Sequence, residues 1–456
     1  MRYIYLGFIF AIFIFIYLFY EGYLVALLVL AFMVLFHEWG HFLAARLCGV
    51  RVEVFSVGFG KKEWCLATFQ RRQTEYRLAP ILLGGYVKML GQDDLDPKKI
   101  DSSPDSYTSQ PPHKRIFILF AGPFANLLLG FLALVAVYSI GREELAPIIA
   151  SPKPETPAFK AGLQMGDEIL AINGIEVKSW EEMSQIIQKQ EQTQIDLTLL
   201  RTGVEIQKQV NLEFQTLPNL FKEPTPRLVL GVTPLPFTAI KAPKLGSPAQ
   251  ILGLQKNDII TAINKQKVYN FEQIASIISK EENKNKLFTI DLMRQDREIS
   301  LESKIDNLST FGIQPLAQSI RINNYGLLGS IQKGFDESLK MSSLMLVGLE
   351  KLIVGIVPTS EVGGVVMIMQ ITSTAAESSL VALLSIAALI SLNLGIINLL
   401  PIPMLDGGHI LFNLYELIFR RALSQEVLYR FTLVGAAIVM GLMMLGLYND
   451  VNRILQ

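Results

Sequence analysis

The alternation of long apolar runs with charged stretches sets the plan of this chain. Residues 3–20 carry no charge, nor do Tyr23 to Phe36, a run that resumes beyond residues 37–41 in Phe42-Leu43-Ala44-Ala45. Ile116–Ile140, Ser379–Leu400 and Phe431–Leu447 are further apolar runs. A helix needs about 20 apolar residues to cross the roughly 30 Å hydrocarbon core of a bilayer, and lipid leaves backbone groups no partners except within the helix itself. These runs therefore predict membrane helices. Residues 3–20 lack a small-x-small cleavage site and read as a retained segment, either a separate helix turning at Glu21-Gly22 or an extension of the next one. The stretch Asp336–Ile356 carries Lys340, Glu350 and Lys351 among Leu and Met, which predicts a helix lying at the interface rather than spanning.

Two regions follow other periods. Between Arg51 and Lys88, apolar and polar residues alternate (Val52, Val54, then Tyr76, Leu78) and are punctuated by Gly58-Phe59-Gly60 and Gly84-Gly85, which predicts β-hairpins. Pro80 to Val87 is apolar enough to dip into a membrane, and residues 91–112 form a linker rich in Asp, Ser and Pro. From Gly141 to Arg321 the chain turns polar and repeats itself. Ala158, Gly162-Leu163, Asp167, Ile169, Ala171-Ile172-Asn173, Val177 and Trp180 recur 91 positions later as Ala249, Gly253-Leu254, Asp258, Ile260, Ala262-Ile263-Asn264, Val268 and Phe271. Two tandem α+β modules are expected, and the pattern resembles PDZ domains. Taken singly, these residues maintain the fold: Gly for turns, Asp for capping, Ile for the core.

Composition agrees with membrane insertion. Half of the residues are hydrophobic, and 41 basic residues balance 41 acidic ones, which gives no indication of a nucleic-acid partner. Arg46, Arg51, Lys114 and Arg115 flank one pair of apolar runs, and Arg420, Arg421 and Arg430 lie between the last two, so both sets belong on the cytoplasmic side. The 141–321 region then faces the opposite side, the periplasm in a Gram-negative bacterium. The two cysteines, Cys48 and Cys65, make no disulfide framework and read as small buried hydrophobes.

The chemistry sits inside the apolar runs. His37-Glu38-Trp39-Gly40-His41 places two of the chain's four histidines one helical turn apart, on one face, where both can bind a single metal ion. Glu38 is then free to act as a base. At the end of the run through Leu400, Asp406 would cost about 2.5–3.5 kcal/mol at membrane depth without a partner, which makes it the expected third ligand. The alternatives are an Asp-Gly turn at the membrane surface, with His409 or the two cysteines as competing donors. His409, nearer the basic loop, and His113, in the polar linker, read as solvated. Pro401 and Pro403 remove backbone donors and break the helix, which at membrane depth suggests a substrate cavity. The Asn398 amide reads as a hold on peptide backbone; Asn393 reads as an interhelical hydrogen-bonding group.

The HExxH motif, the N-x-x-P-x-P-x-L-D-G motif at Asn398 to Gly407, the tandem PDZ-like pair between them and Ala121-Gly122-Pro123-x-Ala125-Asn126 together resemble the site-2 protease family. The resemblance covers residues 21–450. It implies a polytopic α-helical membrane protein with a membrane-associated β-hairpin region and two PDZ-like domains inserted between the second and third core transmembrane helices. The expected divisions are 1–50 (N-terminal extension and first core helix), 51–112 (hairpins and linker), 113–140 (second core helix), 141–226 and 227–321 (PDZ-like domains), 322–376 (interfacial helix and loop), 377–410 (third core helix) and 411–456 (cytoplasmic loop and fourth core helix). It further implies zinc (Zn2+) held by His37, His41 and Asp406, Glu38 as the catalytic base, and a membrane-reentrant β-loop whose Gly58-x-Gly60 contacts substrate, beside Asn398, Pro401 and Pro403. The expected activity is hydrolysis within transmembrane segments of single-pass proteins, such as an anti-sigma factor already shortened by another protease, or signal-peptide remnants. The expected setting is the bacterial inner membrane. A membrane-anchored PDZ scaffold and a metal transporter are the competing readings, and neither gives a reason for Glu38 beside His37.

Overall fold

The computed structural model describes residues 21–92 and 101–455, apart from residues 151, 165, 202, 235–237, 239, 257, 269–270, 280–286, 295–296, 306 and 315–319. The apolar run at 3–20 and part of the 91–112 linker lie outside the described residues. The chain divides into two compact units, residues 1–141 with 324–456, and residues 142–323.

The first unit holds seven principal helices among the described residues: α1 (Glu21–Leu47), α2 (Pro112–Ile140), α3 (Gly326–Val354), α4 (Val365–Ser378), α5 (Leu380–Leu399), α6 (Asp406–Phe419) and α7 (Gln425–Leu455). Among the described residues, α1, α2, α5 and α7 are long and apolar enough to cross a membrane. Together with the strands described below, they make this a membrane protein with a β region. The helix ends follow from the sequence. Glu21 in the first turn and Arg46 in the last turn of α1 complement its dipole, Pro112 opens α2, and the Ser379 hydroxyl accepts the Ala382 N–H at 3.1 Å to cap α5.

Between these helices apolar area gives no advantage over lipid, so small residues let the backbones approach. Gly40 of α1 faces the Ala121 carbonyl of α2 too closely for a β-carbon, and Gly395 of α5 faces the Pro123 carbonyl with little room for one. Leu134 of α2 packs with Ala388 and Leu392 of α5. The charged helix expected from Asp336 begins at Gly326 and lies along α2, with Gly334 against Val135. At the far end of α7 the buried Asp450 carboxylate accepts the Gly364 and Val366 amides at 3.0 and 2.9 Å, which caps α4.

The strands expected as hairpins form one four-stranded sheet in the order β2-β3-β1-β4, with β1 Val52–Phe59, β2 Ala67–Arg71, β3 Thr74–Leu78 and β4 Ile81–Met89. Only β2 and β3 make a simple hairpin; β1 pairs in parallel with β3 and antiparallel with β4. The physical reason is burial. Val52, Val54, Phe55 and Ser56 of β1 are all buried, so its backbone needs partners on both sides. The free edges are therefore β2 and β4, and β4 packs on α1.

The second unit bears out the internal repeat. Strands β7-β6-β8-β9 (β6 Glu168–Ile172, β7 Ile175–Glu176, β8 Gln194–Arg201, β9 Val204–Asn211) are matched by β13-β12-β14-β15 (β12 Ile259–Ile263, β13 Gln266–Lys267, β14 Leu287–Arg294, β15 Arg297–Lys304). Each sheet carries one nine-residue helix, Trp180–Gln188 or Phe271–Ser279. Two ribbons complete the unit, β10 (Glu213–Pro218) with β11 (Pro224–Val229) and β5 (Arg142–Leu145) with β16 (Ile320–Asn323). The boundary expected at 226/227 falls inside β11, and Leu228 and Leu230 pack in the core of the first module. The repeated aspartates have a partner that the 91-residue offset did not align. Asp167, fully buried, is held by Arg201 through two 2.7 Å contacts while it accepts the Gln164 amide; Arg294 and Asp258 do the same in the second module.

Candidate metal centre

The helical spacing of His37 and His41 brings both rings to the α2-facing side of α1, edge to face at 4.8 Å between centroids. Both are buried. His41 fits because position 122 is glycine: a β-carbon there would enter the imidazole ring. The His41 Nδ1–H donates to the Ile118 carbonyl at 2.8 Å, which leaves Nε2 facing inward. His37 Nδ1 meets the side-chain amide of Asn126 at 3.3 Å.

Asp406 reaches this pair from the other half of the chain. Helix α5 ends at Leu399, residues 400–405 turn through Pro401 and Pro403, and α6 begins at Asp406. The turn is tight enough that only glycine fits next: a β-carbon on Gly407 would strike the Leu399 and Leu400 carbonyls, and one on Gly408 the Ile402 carbonyl. Asp406 Oδ2 lies 3.2 Å from His37 Nε2, and Oδ1 lies 3.4 Å from His41 Nε2. Two imidazole nitrogens and one carboxylate oxygen thus lie within 4.8 Å of one another. This donor set fits zinc: nitrogen and oxygen ligands, three in number, with a coordination position left over.

Glu38 is half-buried and stands apart from the cluster, on the wall of a cleft of about 290 Å³ that also takes in Val34, His37, Phe59, Gly84, Gly85, Asn126, Leu394, Asn398, Met404, Leu405 and Asp406. Strand β4 closes one side because residue 85 has no side chain; a β-carbon there would lie 2.7 Å from the Ser56 carbonyl and 3.4 Å from Glu38 Cγ.

Of the residues expected to contact substrate, Asn398 lines this cleft. Gly58, Gly60, Pro401 and Pro403 do not. Gly58 sits at φ +87° against the Ala79 and Ile81 carbonyls, Gly60 lies by Pro80, Pro401 is exposed, and the Pro403 carbonyl packs on Gly435 of α7. Their neighbours Phe59 and Met404 do reach the cleft. Met404 has φ +84°, an unfavoured backbone for a bulky side chain, and nothing in the sequence marked it. Asn126 carried a signal, as a polar residue inside an apolar helix. His409 packs on Phe412 and is half-buried, while His113 is exposed; neither joins the cluster. Cys65 is buried and Cys48 half-buried.

Helices fit to span a membrane, closing around two imidazoles, a carboxylate and a separate glutamate, define an intramembrane metalloprotease. The chain belongs to peptidase family M50, the site-2 type of zinc metalloprotease: the family pattern matches residues 25–442. It is 36% identical over 433 residues to Cj1068 of Campylobacter jejuni, named as a zinc metalloprotease, covering 95% of this chain and 94% of that one. It is 32% identical over 449 residues to the regulator of sigma E protease of Haemophilus influenzae (94% and 98%), and 32% identical over 448 residues to protease RseP of Yersinia pestis (93% and 97%).

Proposed function

We propose that this chain hydrolyses peptide bonds within transmembrane segments of single-pass membrane proteins, with His37, His41 and Asp406 holding zinc and Glu38 as the base. The observation that carries the reading is the meeting of the three donors beside a cleft whose wall His37 and Asp406 share with Glu38. Zinc bound there supplies a Lewis acid that polarises the scissile carbonyl and acidifies a water molecule. Glu38 takes the proton from the attacking water and delivers it to the leaving amine. A substrate helix hides its own backbone, so it must unwind before cleavage; the free edge of β4, beside Glu38, offers replacement hydrogen bonds, and the Asn398 amide offers an NH2 donor group and a carbonyl acceptor to the extended chain. Glu38→Gln tests the chemistry: zinc content should stay at the wild-type level while cleavage falls by about 10²–10⁴-fold. Zinc lost together with activity would make Glu38 a ligand. Asp406→Asn should lower zinc affinity, and unchanged zinc binding and turnover would remove Asp406 from the set.

The relatives named as regulators of sigma E support a substrate of the anti-sigma-factor type, shortened first by another protease, in a stress response at the bacterial inner membrane. The basic residues Arg46, Arg51, Lys114 and Arg115 support an active site towards the cytoplasm, with residues 142–323 in the periplasm. In our reading the two repeated modules are PDZ-like domains that exclude substrates still carrying a folded ectodomain. A second reading has its own observation: in the first module a groove of about 360 Å³ between helix Trp180–Gln188 and β11, lined by Trp180, Met183, Leu228 and Leu230, suits a peptide end and would make the modules recruiters.

A further inference from the structure

The two histidines differ in what holds their outer nitrogens. A histidine that binds metal through Nε2 carries its proton on Nδ1, and an acceptor there fixes the tautomer and the ring. For His41 that acceptor is the Ile118 carbonyl, at 2.8 Å. For His37 the side chain at Nδ1, among the described residues, is that of Asn126, two helical turns along α2 from Ile118, with its Nδ2 at 3.3 Å. The other end of this amide, Oδ1, is buried and finds no donor among the described residues. Asn126 is 1% exposed, so an unpaired carbonyl is costly there and needs a reason. Its backbone is also fixed from the opposite helix: the buried Ser391 hydroxyl of α5 donates to the Asn126 carbonyl at 2.8 Å.

With His37 Nε2 shared with Asp406, as in this structure, Nδ1 can accept from the amide NH2. Once Nε2 serves as a ligand, the proton sits on Nδ1, and a half-turn of the amide exchanges its NH2 for Oδ1. That turn pairs the orphan oxygen with the new N–H. We propose that Asn126 is the positioning residue of His37, holding it through the side-chain carbonyl in the tautomer that presents Nε2 to the metal. Helix α2 then orients both histidines, one through a backbone carbonyl and one through an amide. The proposal rests on the zinc reading given above.

The test uses the full chain in detergent, with zinc affinity read by competition against a chromophoric chelator. Asn126→Leu keeps the approximate volume and removes the acceptor; affinity should fall about 10–100-fold. Asn126→Asp restores an acceptor and should recover most of that loss. Unchanged affinity in Asn126→Leu overturns the proposal, and so does an equal loss in both variants, which would mean that the amide only packs. Should Asn126→Leu fail to fold, the wild-type chain decides. Histidine labelled with 15N gives four rings, and His113→Gln with His409→Gln leaves two. Zinc-loaded protein should show a slowly exchanging proton on His37 Nδ1; a His37 ring without one overturns the assignment. His37→Ala separates the two levels of argument: zinc bound as tightly as in wild type would sink the ligand set itself rather than the role of Asn126.

Discussion

Gly122 of α2 lies against the imidazole of His41 so closely that a β-carbon could not be added without displacing the ring. The helix that orients the histidine must therefore be bare at the point of contact, and the close α1–α2 approach becomes part of the metal site. Gly122→Ala should move His41 off the Ile118 carbonyl and lower zinc affinity by about 10–100-fold, as loss of an orienting contact does elsewhere. Zinc titration of the purified variant checks this, and wild-type affinity would show that the ring has room to move.

Gly85 plays the corresponding part for Glu38. Gly85→Ala touches no zinc donor but crowds the Ser56 carbonyl at 2.7 Å and Glu38 at 3.4 Å. Zinc content should stay unchanged while kcat falls by about 10²-fold, the cost of a misplacement near 1 Å. Loss of zinc instead would mean that β4 supports the histidines and not the base.

Arg115 near the start of α2 and Glu416 on α6 form a 2.7 Å pair, both largely shielded from solvent. The pair fastens the helix that begins at Asp406 to α2, the helix packed against the histidines. Arg115→Met should destabilise the protein by about 1.5–3 kcal/mol in detergent unfolding. The exchange Arg115→Glu with Glu416→Arg should recover part of that loss; no recovery would assign the effect to packing of the Arg115 stem.

In the second unit, Arg201→Met strands the fully buried Asp167 carboxylate and should cost the first module about 3–5 kcal/mol. Arg294→Met should do the same in the second module, through Asp258. Hydrogen exchange read peptide by peptide should localise each loss to its own module, with zinc content unaltered. Loss of protection in both modules from either variant would show that they unfold as one.

The chain leaves the first unit at Gly141 and returns at Asn324, whose side-chain amide donates to the Ser139 carbonyl at 3.0 Å. Its ends being adjacent, residues 142–323 can be replaced by a short linker without straining α2 or α3. If the modules exclude bulky substrates, this variant should cleave intact, unshortened substrate. If they recruit, it should cut even shortened substrate poorly. Cleavage confined to shortened substrate in a stably inserted variant would refute the exclusion role.

The membrane helices, the repeat, and the candidacy of His37, Glu38, His41 and Asp406 were legible in the residues alone. Each follows from a local rule: apolar length, self-similarity at a fixed offset, and the cost of charge or imidazole in lipid. The sequence also foretold the break at Pro401 and Pro403, since a missing N–H is a property of the residue. Tertiary structure decided what local rules do not contain. Alternation marked β1 as a strand, but only burial on both faces made it central and left the edge to β4. Arg201 and Arg294 lay beyond the repeat as aligned, because the offset grows from 91 at β6 and β12 to 93 at β8 and β14, so their bond to the buried aspartates appears only once the sheet forms. Asn126, Gly122 and Gly85 matter through what they face across a helix or strand contact, and Met404 through a backbone conformation imposed by its turn. These are relations between elements far apart in the chain, fixed only when packing brings them together.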